Sequence, residues 1–150
     1  MGSNMTRNKG FTIIELMVVI SIVSILAVMA LSAYSDYATR AKVAEGVGFA
    51  ASAKTAVTNS YYTLGYVPTD NSAAGMEPPI SYASQYVSSV GVNSVPVPGT
   101  ITIVLSMPIL GTDNQLQLVP SIVNEFMTWT CLPASTNGID LAYVPANCRG

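Results

Sequence analysis

The chain has 150 residues, half of them hydrophobic and only 9% charged, with a net charge of −2. That balance leaves no basic footprint for nucleic acid, and a charge content this far under the usual share of about a quarter points away from an ordinary soluble domain. Histidine is absent, which removes the commonest general base and a major metal ligand together.

Met1-Gly2-Ser3-Asn4 reads as a tag or extension before a second start at Met5 and is set aside. Arg7 and Lys9 then stand just ahead of an apolar run from Phe11 to Leu31, in which Glu15 is the only ionisable side chain. About 20 apolar residues suffice to cross a bilayer as a helix, spanning roughly 30 Å. The basic leader predicts a single pass with the N-terminus in the cytoplasm. The run is too long for an ordinary secretory signal, and no small-residue cleavage site ends it. A carboxylate inside such a run costs about 2.5–3.5 kcal/mol at the membrane centre, so it calls for a partner; the alternative is that Glu15 snorkels to the headgroups.

Val43, Val47, Ala50 and Val57 fall at i, i+4, i+7 and i+14, an apolar stripe of helical period. Asp36, Arg40, Lys42, Glu45 and Lys54 lie largely off it. One long helix over about residues 12–60 is therefore predicted, apolar all round in its first half and amphipathic in its second. Gly46 and Gly48 are expected to weaken it locally. Tyr61 to Tyr66 ends it. Pro68, Asp70, Asn71, Gly75 and Pro78-Pro79 predict a long irregular surface connection over 61–85.

From Tyr86 the period changes to two. Strands are predicted over Tyr86–Val92, Thr100–Leu105, Gln115–Val119, with Pro120 ending it, and Glu125–Thr130, ending at Cys131. The connections are too short for crossover helices, so the four form an antiparallel meander whose apolar face covers the helical stripe. The fold class is thus α+β: a long N-terminal helix packed on a four-stranded antiparallel sheet. Cys131 and Cys148 are the only cysteines. Beside an export or membrane segment they read as one disulfide, the alternative being two unrelated thiols; a zinc site would need more ligands. A bridge here would contribute roughly 3 kcal/mol in the chain-entropy model. The enclosed segment, Leu132–Asn147, is rich in Pro, Asn and Gly and has little core of its own.

Gly10-Phe11-Thr12-Ile13-Ile14-Glu15-Leu16-Met17-Val18-Val19 resembles the class III signal of type IV pilins, and Trp129-Thr130-Cys131 resembles the last strand of the type IVa members. The resemblance implies that prepilin peptidase cuts between Gly10 and Phe11, that Phe11 becomes the N-methylated mature N-terminus, and that Glu15 is the family's assembly acid. Residues 1–10 would be the leader, 11–33 the membrane and assembly half of the helix, 34–60 its amphipathic half, 61–85 the helix–sheet loop, 86–131 the sheet and 131–148 the disulfide-bound loop, which the resemblance implies is variable and exposed on the fibre, with Asn137, Asp140, Tyr143 and Arg149 as surface-contact candidates. A Phe11 amine lies four residues before Glu15, on one helix face. Within a single chain the pair can close on itself; in a packed assembly Glu15 would take the amine of a neighbour, neutralising both charges and fixing axial register more than adding stability. Where pilins often carry a helix-loosening Gly and Pro, this chain has Ser24 and Ser32. Serine bends a helix by bonding back to a carbonyl but keeps its own N–H, so a more continuous helix is expected.

The implied function is structural: the major subunit of a type IV pilus, polymerising with itself into a surface fibre for adhesion, twitching motility or DNA uptake. The implied partners are prepilin peptidase, the inner membrane before assembly, an assembly machine driven by cytoplasmic ATPases, and surfaces or host receptors. The rival readings are a type II secretion pseudopilin or minor pilin, and a membrane-anchored binding domain that never polymerises. No enzyme is indicated. Without histidine there is no Ser-His-Asp or Cys-His arrangement, and no paired carboxylates or phosphate loop stand in their place. Asp113-Asn114 offers two oxygens where calcium needs about six to eight, so no metal or cofactor is expected.

Overall fold

The computed structural model describes residues 10–149; the basic leader, with Arg7 and Lys9, lies outside the described residues. Helix α1 spans Ile13–Asn59 without interruption. The chain divides into two compact units, Met1–Ser35 and Asp36–Gly150.

In the first unit α1 is a bare apolar rod. Every residue from Ile13 to Ser35 is exposed. Ser21 and Ser24 donate their hydroxyls to the carbonyls of Met17 and Ile20, at 2.8 and 2.7 Å. Both hydroxyls are thus satisfied within the helix, which a membrane interior demands. The helix has no break between Ser24 and Ser32.

In the second unit α1 buries Thr39, Val43, Gly46, Ala50, Ala53 and Val57. The predicted stripe has the right face but a different centre: Val47 packs at its margin, and small residues hold the middle. Helix and sheet approach closely there. A Cβ on Gly46 would stand 2.8 Å from Leu105 Cδ2, so this glycine admits the sheet rather than merely loosening the helix. The helix closes on a single π turn, Ser60–Leu64, and Gly65 stops it at φ 75°, the left-handed geometry that glycine adopts without strain.

The strands are β1 (Val87–Asn93), β2 (Thr100–Leu105), β3 (Gln115–Val123) and β4 (Phe126–Pro133), in the order β1-β2-β3-β4, all antiparallel. Val90, Val92, Ile101, Ile103, Leu105, Leu116 and Leu118 form the core with the helix. Burying each such side chain contributes about 1.5–3 kcal/mol. Val87 joins them although it is three residues from Val90. A register shift between Val87 and Ser89 re-aims it to the same face.

Two predicted strand ends are corrected. β3 runs through Pro120, which pairs with Trp129. The register of β3 with β2 extends only to Leu118, so Pro120 sits where the strand has one neighbour and an N–H on the open side is dispensable. β4 continues past Cys131 to Pro133, which places the cysteine inside the strand. Between them lies a two-residue hairpin. Val123 pairs with Phe126, and Asn124 and Glu125 have φ of 50° and 68°, as a type I′ turn requires. The Tyr62 hydroxyl ties this tip to the helix end, accepting from Met127 N at 3.0 Å and donating to Glu125 O at 3.2 Å.

The 61–85 connection is more ordered than its composition suggests. Asn71, buried, accepts the Val92 N–H through Oδ1 at 2.6 Å and donates through Nδ2 to Glu77 O at 2.8 Å and Val90 O at 3.3 Å. A short 3-10 turn, Pro79–Tyr82, follows.

Candidate assembly site

Gly10, Phe11 and Thr12 precede the helix in irregular backbone. Phe11 is 87% exposed, and Gly10 beside it is exposed as well. Thr12 occupies the N-cap position and Glu15 the third helical position. The Thr12 hydroxyl accepts the Glu15 N–H at 3.2 Å. In return Glu15 Oε2 accepts the Thr12 N–H at 2.9 Å and the Thr12 hydroxyl at 2.8 Å. This is a complete capping box, two orphan donors satisfied reciprocally. Leu16 N then donates to Thr12 O at 3.3 Å to begin the helical ladder.

Glu15 therefore has a partner within the chain, and that partner is Thr12. The carboxylate that stood out as a membrane oddity starts the helix. All its bonds run to Oε2, and among the described residues Oε1 has no hydrogen-bond partner. Thr12 is the residue that sequence reasoning missed, although the signal was present in Thr12-Ile13-Ile14-Glu15, the T-x-x-E pattern ahead of an apolar run.

At the other end of the chain Cys131 and Cys148 are joined by a disulfide. The segment between them does contribute to the core: Ile139 is 2% and Val144 0% exposed. It is laced to the sheet by Gln115, whose N–H donates to Asn137 O at 2.8 Å and whose carbonyl accepts Ile139 N–H at 3.1 Å. Of the four surface candidates, Asn137, Asp140 and Arg149 are exposed, whereas Tyr143 is half-buried against the core. Asn114 serves the β2–β3 turn, donating to Leu105 O at 2.9 Å.

An apolar helix opened by a capping box, leading into a helix-on-meander domain with a C-terminal disulfide, defines a class of proteins with a single N-terminal membrane-type helix. Residues 39–149 match the family model described as pilin (bacterial filament), and residues 5–31 match the prokaryotic N-terminal methylation motif. The chain belongs to the pilin family, as a type IV pilin; the family is structural, not enzymatic. Among its relatives is a fimbrial protein of Neisseria meningitidis serogroup A, 46% identical over 166 residues, covering 96% of this chain and 95% of the relative. The type IV major pilin protein PilE of Neisseria gonorrhoeae is 35% identical over 163 residues, covering 96% and 95%. The fimbrial protein EcpC of Eikenella corrodens is 35% identical over 144 residues, covering 94% and 90%.

Proposed function

We propose that this chain is the major structural subunit of a type IV pilus, and that its work is polymerisation. The carrying observation is the helix from Ile13 to Ser35, apolar and exposed along its whole length. Such a surface needs lipid or copies of itself around it. Prepilin peptidase removes the leader between Gly10 and Phe11, Phe11 is N-methylated, and the subunit waits in the inner membrane with its N-terminus cytoplasmic. A machine powered by cytoplasmic ATPases then draws it into the fibre, where residues 11–33 bundle at the centre and residues 86–148 coat the outside. Glu15 takes the new Phe11 amine of a neighbour. The unused Oε1 supports this role, because the carboxylate can accept that amine without giving up its cap on Thr12.

The fibre serves adhesion, twitching motility or DNA uptake at the cell surface. The major-pilin names of the relatives and the disulfide both favour this reading over a type II secretion pseudopilin. The deciding experiment is electron microscopy of sheared surface material from cells producing the wild-type chain or Glu15→Ala. Wild-type cells are expected to yield filaments of this chain. The variant is expected to accumulate as precursor or membrane-held subunit with few or no filaments. Abundant normal fibres from Glu15→Ala would overturn the assembly role, and an absence of wild-type fibres would favour a non-polymerising anchored domain.

A further inference from the structure

Two arginines far apart in sequence converge on one short segment of the disulfide-bound loop. Arg40, on α1, donates Nε to Ala142 O at 2.7 Å. Arg149, near the C-terminus, donates Nε to Val144 O at 3.2 Å. Both are exposed, each is anchored through Nε, and among the described residues neither has a partner for its terminal guanidinium nitrogens. No carboxylate pairs with either among the described residues. The nearby Asp140 spends Oδ1 on its own turn, accepting Ala142 N–H at 2.7 Å. The two side chains are thus held at carbonyls two residues apart, and guanidinium groups tethered in this way suit a carboxylate because less rotamer freedom remains to be lost on binding.

The opposite edge of the sheet presents a carboxylate held in a complementary way. Glu77 is exposed, and its backbone is fixed on both sides. Its carbonyl accepts from Asn71 Nδ2 at 2.8 Å, and its N–H donates to the Tyr82 hydroxyl at 3.3 Å. Pro78 and Pro79 follow and stiffen the chain. The Glu77 carboxylate has no partner among the described residues. This segment packs on β1 through Asn71, whereas the arginine segment is tied to β4 through Cys131. β1 and β4 are the two outer strands.

We propose that Glu77 of one subunit docks onto the Arg40–Arg149 pair of a second copy, edge to edge. The inference rests on the polymerisation reading above. Because the donor and acceptor patches lie on different edges of one molecule, the contact is heterologous. Heterologous contacts propagate into rings or open helices rather than closed pairs. Asp70, beside Asn71, and Lys54, over Trp129 of β4, add charge of the matching sign, while Lys42, over Tyr86 before β1, and the exposed Asp36, Glu125 and Asp140 oppose it, so the specificity resides in Glu77 and the two arginines.

The test is charge reversal and its repair in cells that make fibres from the wild-type chain. Glu77→Arg and Arg149→Glu should each lower sheared fibre yield by about tenfold or more, since like charges replace a complementary pair. The double variant should recover most of the loss. Glu77→Gln, which keeps shape and removes charge, should weaken fibres in the same direction by a smaller factor, and this arm decides if a reversed charge prevents folding. Membrane-held subunit with an intact disulfide serves as the folding control. Wild-type yields from both reversals, or a double variant no better than its singles, would overturn the inference. Neither result would touch the polymerisation reading, which fails only if the wild-type chain itself forms no fibres.

Discussion

Asn71 stands beside Val92 as one residue of a missing fifth strand: its Oδ1 accepts the Val92 N–H at 2.6 Å while its Nδ2 reaches Val90 O at 3.3 Å. An amide side chain thus satisfies the free edge of β1, the kind of edge that otherwise recruits strands from other chains. Asn71→Ala leaves a buried N–H and two carbonyls without this partner. It is expected to destabilise the protein by about 2–3 kcal/mol, read from the denaturant midpoint of the full chain in detergent. Asn71→Asp keeps the acceptor but turns a second oxygen of a buried carboxylate against the Glu77 and Val90 carbonyls, so it should be at least as damaging as Ala at neutral pH.

Gly46 and Gly48 separate two roles that the sequence cannot distinguish. Both lie inside α1, but a Cβ on Gly46 meets Leu105 at 2.8 Å and one on Gly48 meets nothing within 4 Å. Gly48→Ala is expected to stabilise by about 0.5–1 kcal/mol, the helical preference for alanine. Gly46→Val is expected to destabilise by about 1–3 kcal/mol through overpacking. Thermal unfolding of both variants in the same detergent checks the opposite signs.

The Thr12–Glu15 box predicts a different kind of result. Thr12→Ser keeps the hydroxyl and should leave fibre yield near wild type. Thr12→Val keeps the shape and removes the cap, costing about 1 kcal/mol at the helix start. Fibre yield should drop, and less steeply than in Glu15→Ala. A Thr12→Val variant as defective as Glu15→Ala would mean that the carboxylate acts only through its cap, not through a neighbour's amine.

Replacing both cysteines by serine should cost about 3 kcal/mol for a loop of this size. Non-reducing gel mobility confirms that the bridge is gone, and the midpoint shift gives the size of the effect. Because Ile139 and Val144 still pack in the core, the loop is expected to remain docked at low temperature and to open first on heating.

Local chemistry made the long helix, the β2 strand, the cysteine pair and the leader motif readable from sequence. Each is a property of neighbouring residues: an apolar run, strict alternation, a spacing. Rules of local conformation misjudged Pro120, because what a proline costs depends on whether a second strand lies beside it, and the end of the β2–β3 pairing at Leu118 is a long-range fact. The hairpin at Asn124-Glu125 escaped notice because its second left-handed position carries glutamate instead of the usual glycine. Asn71 read as turn chemistry, and only tertiary contact turns it into a strand surrogate. The meeting of Arg40 with Ala142, 102 residues away in sequence, has no local signature at all.

The docking of Ile139 and Val144 divides the disulfide-bound loop into posts and windows. Side chains at the posts answer to the core, so their chemistry is constrained from inside the molecule. Ser135, Thr136 and Asn137 are exposed before Ile139, Asp140, Leu141 and Ala142 between the posts, and Ala146 and Asn147 beyond Val144. Substitutions in the windows are therefore expected to leave the frame standing, whereas truncation at either post opens a cavity in it.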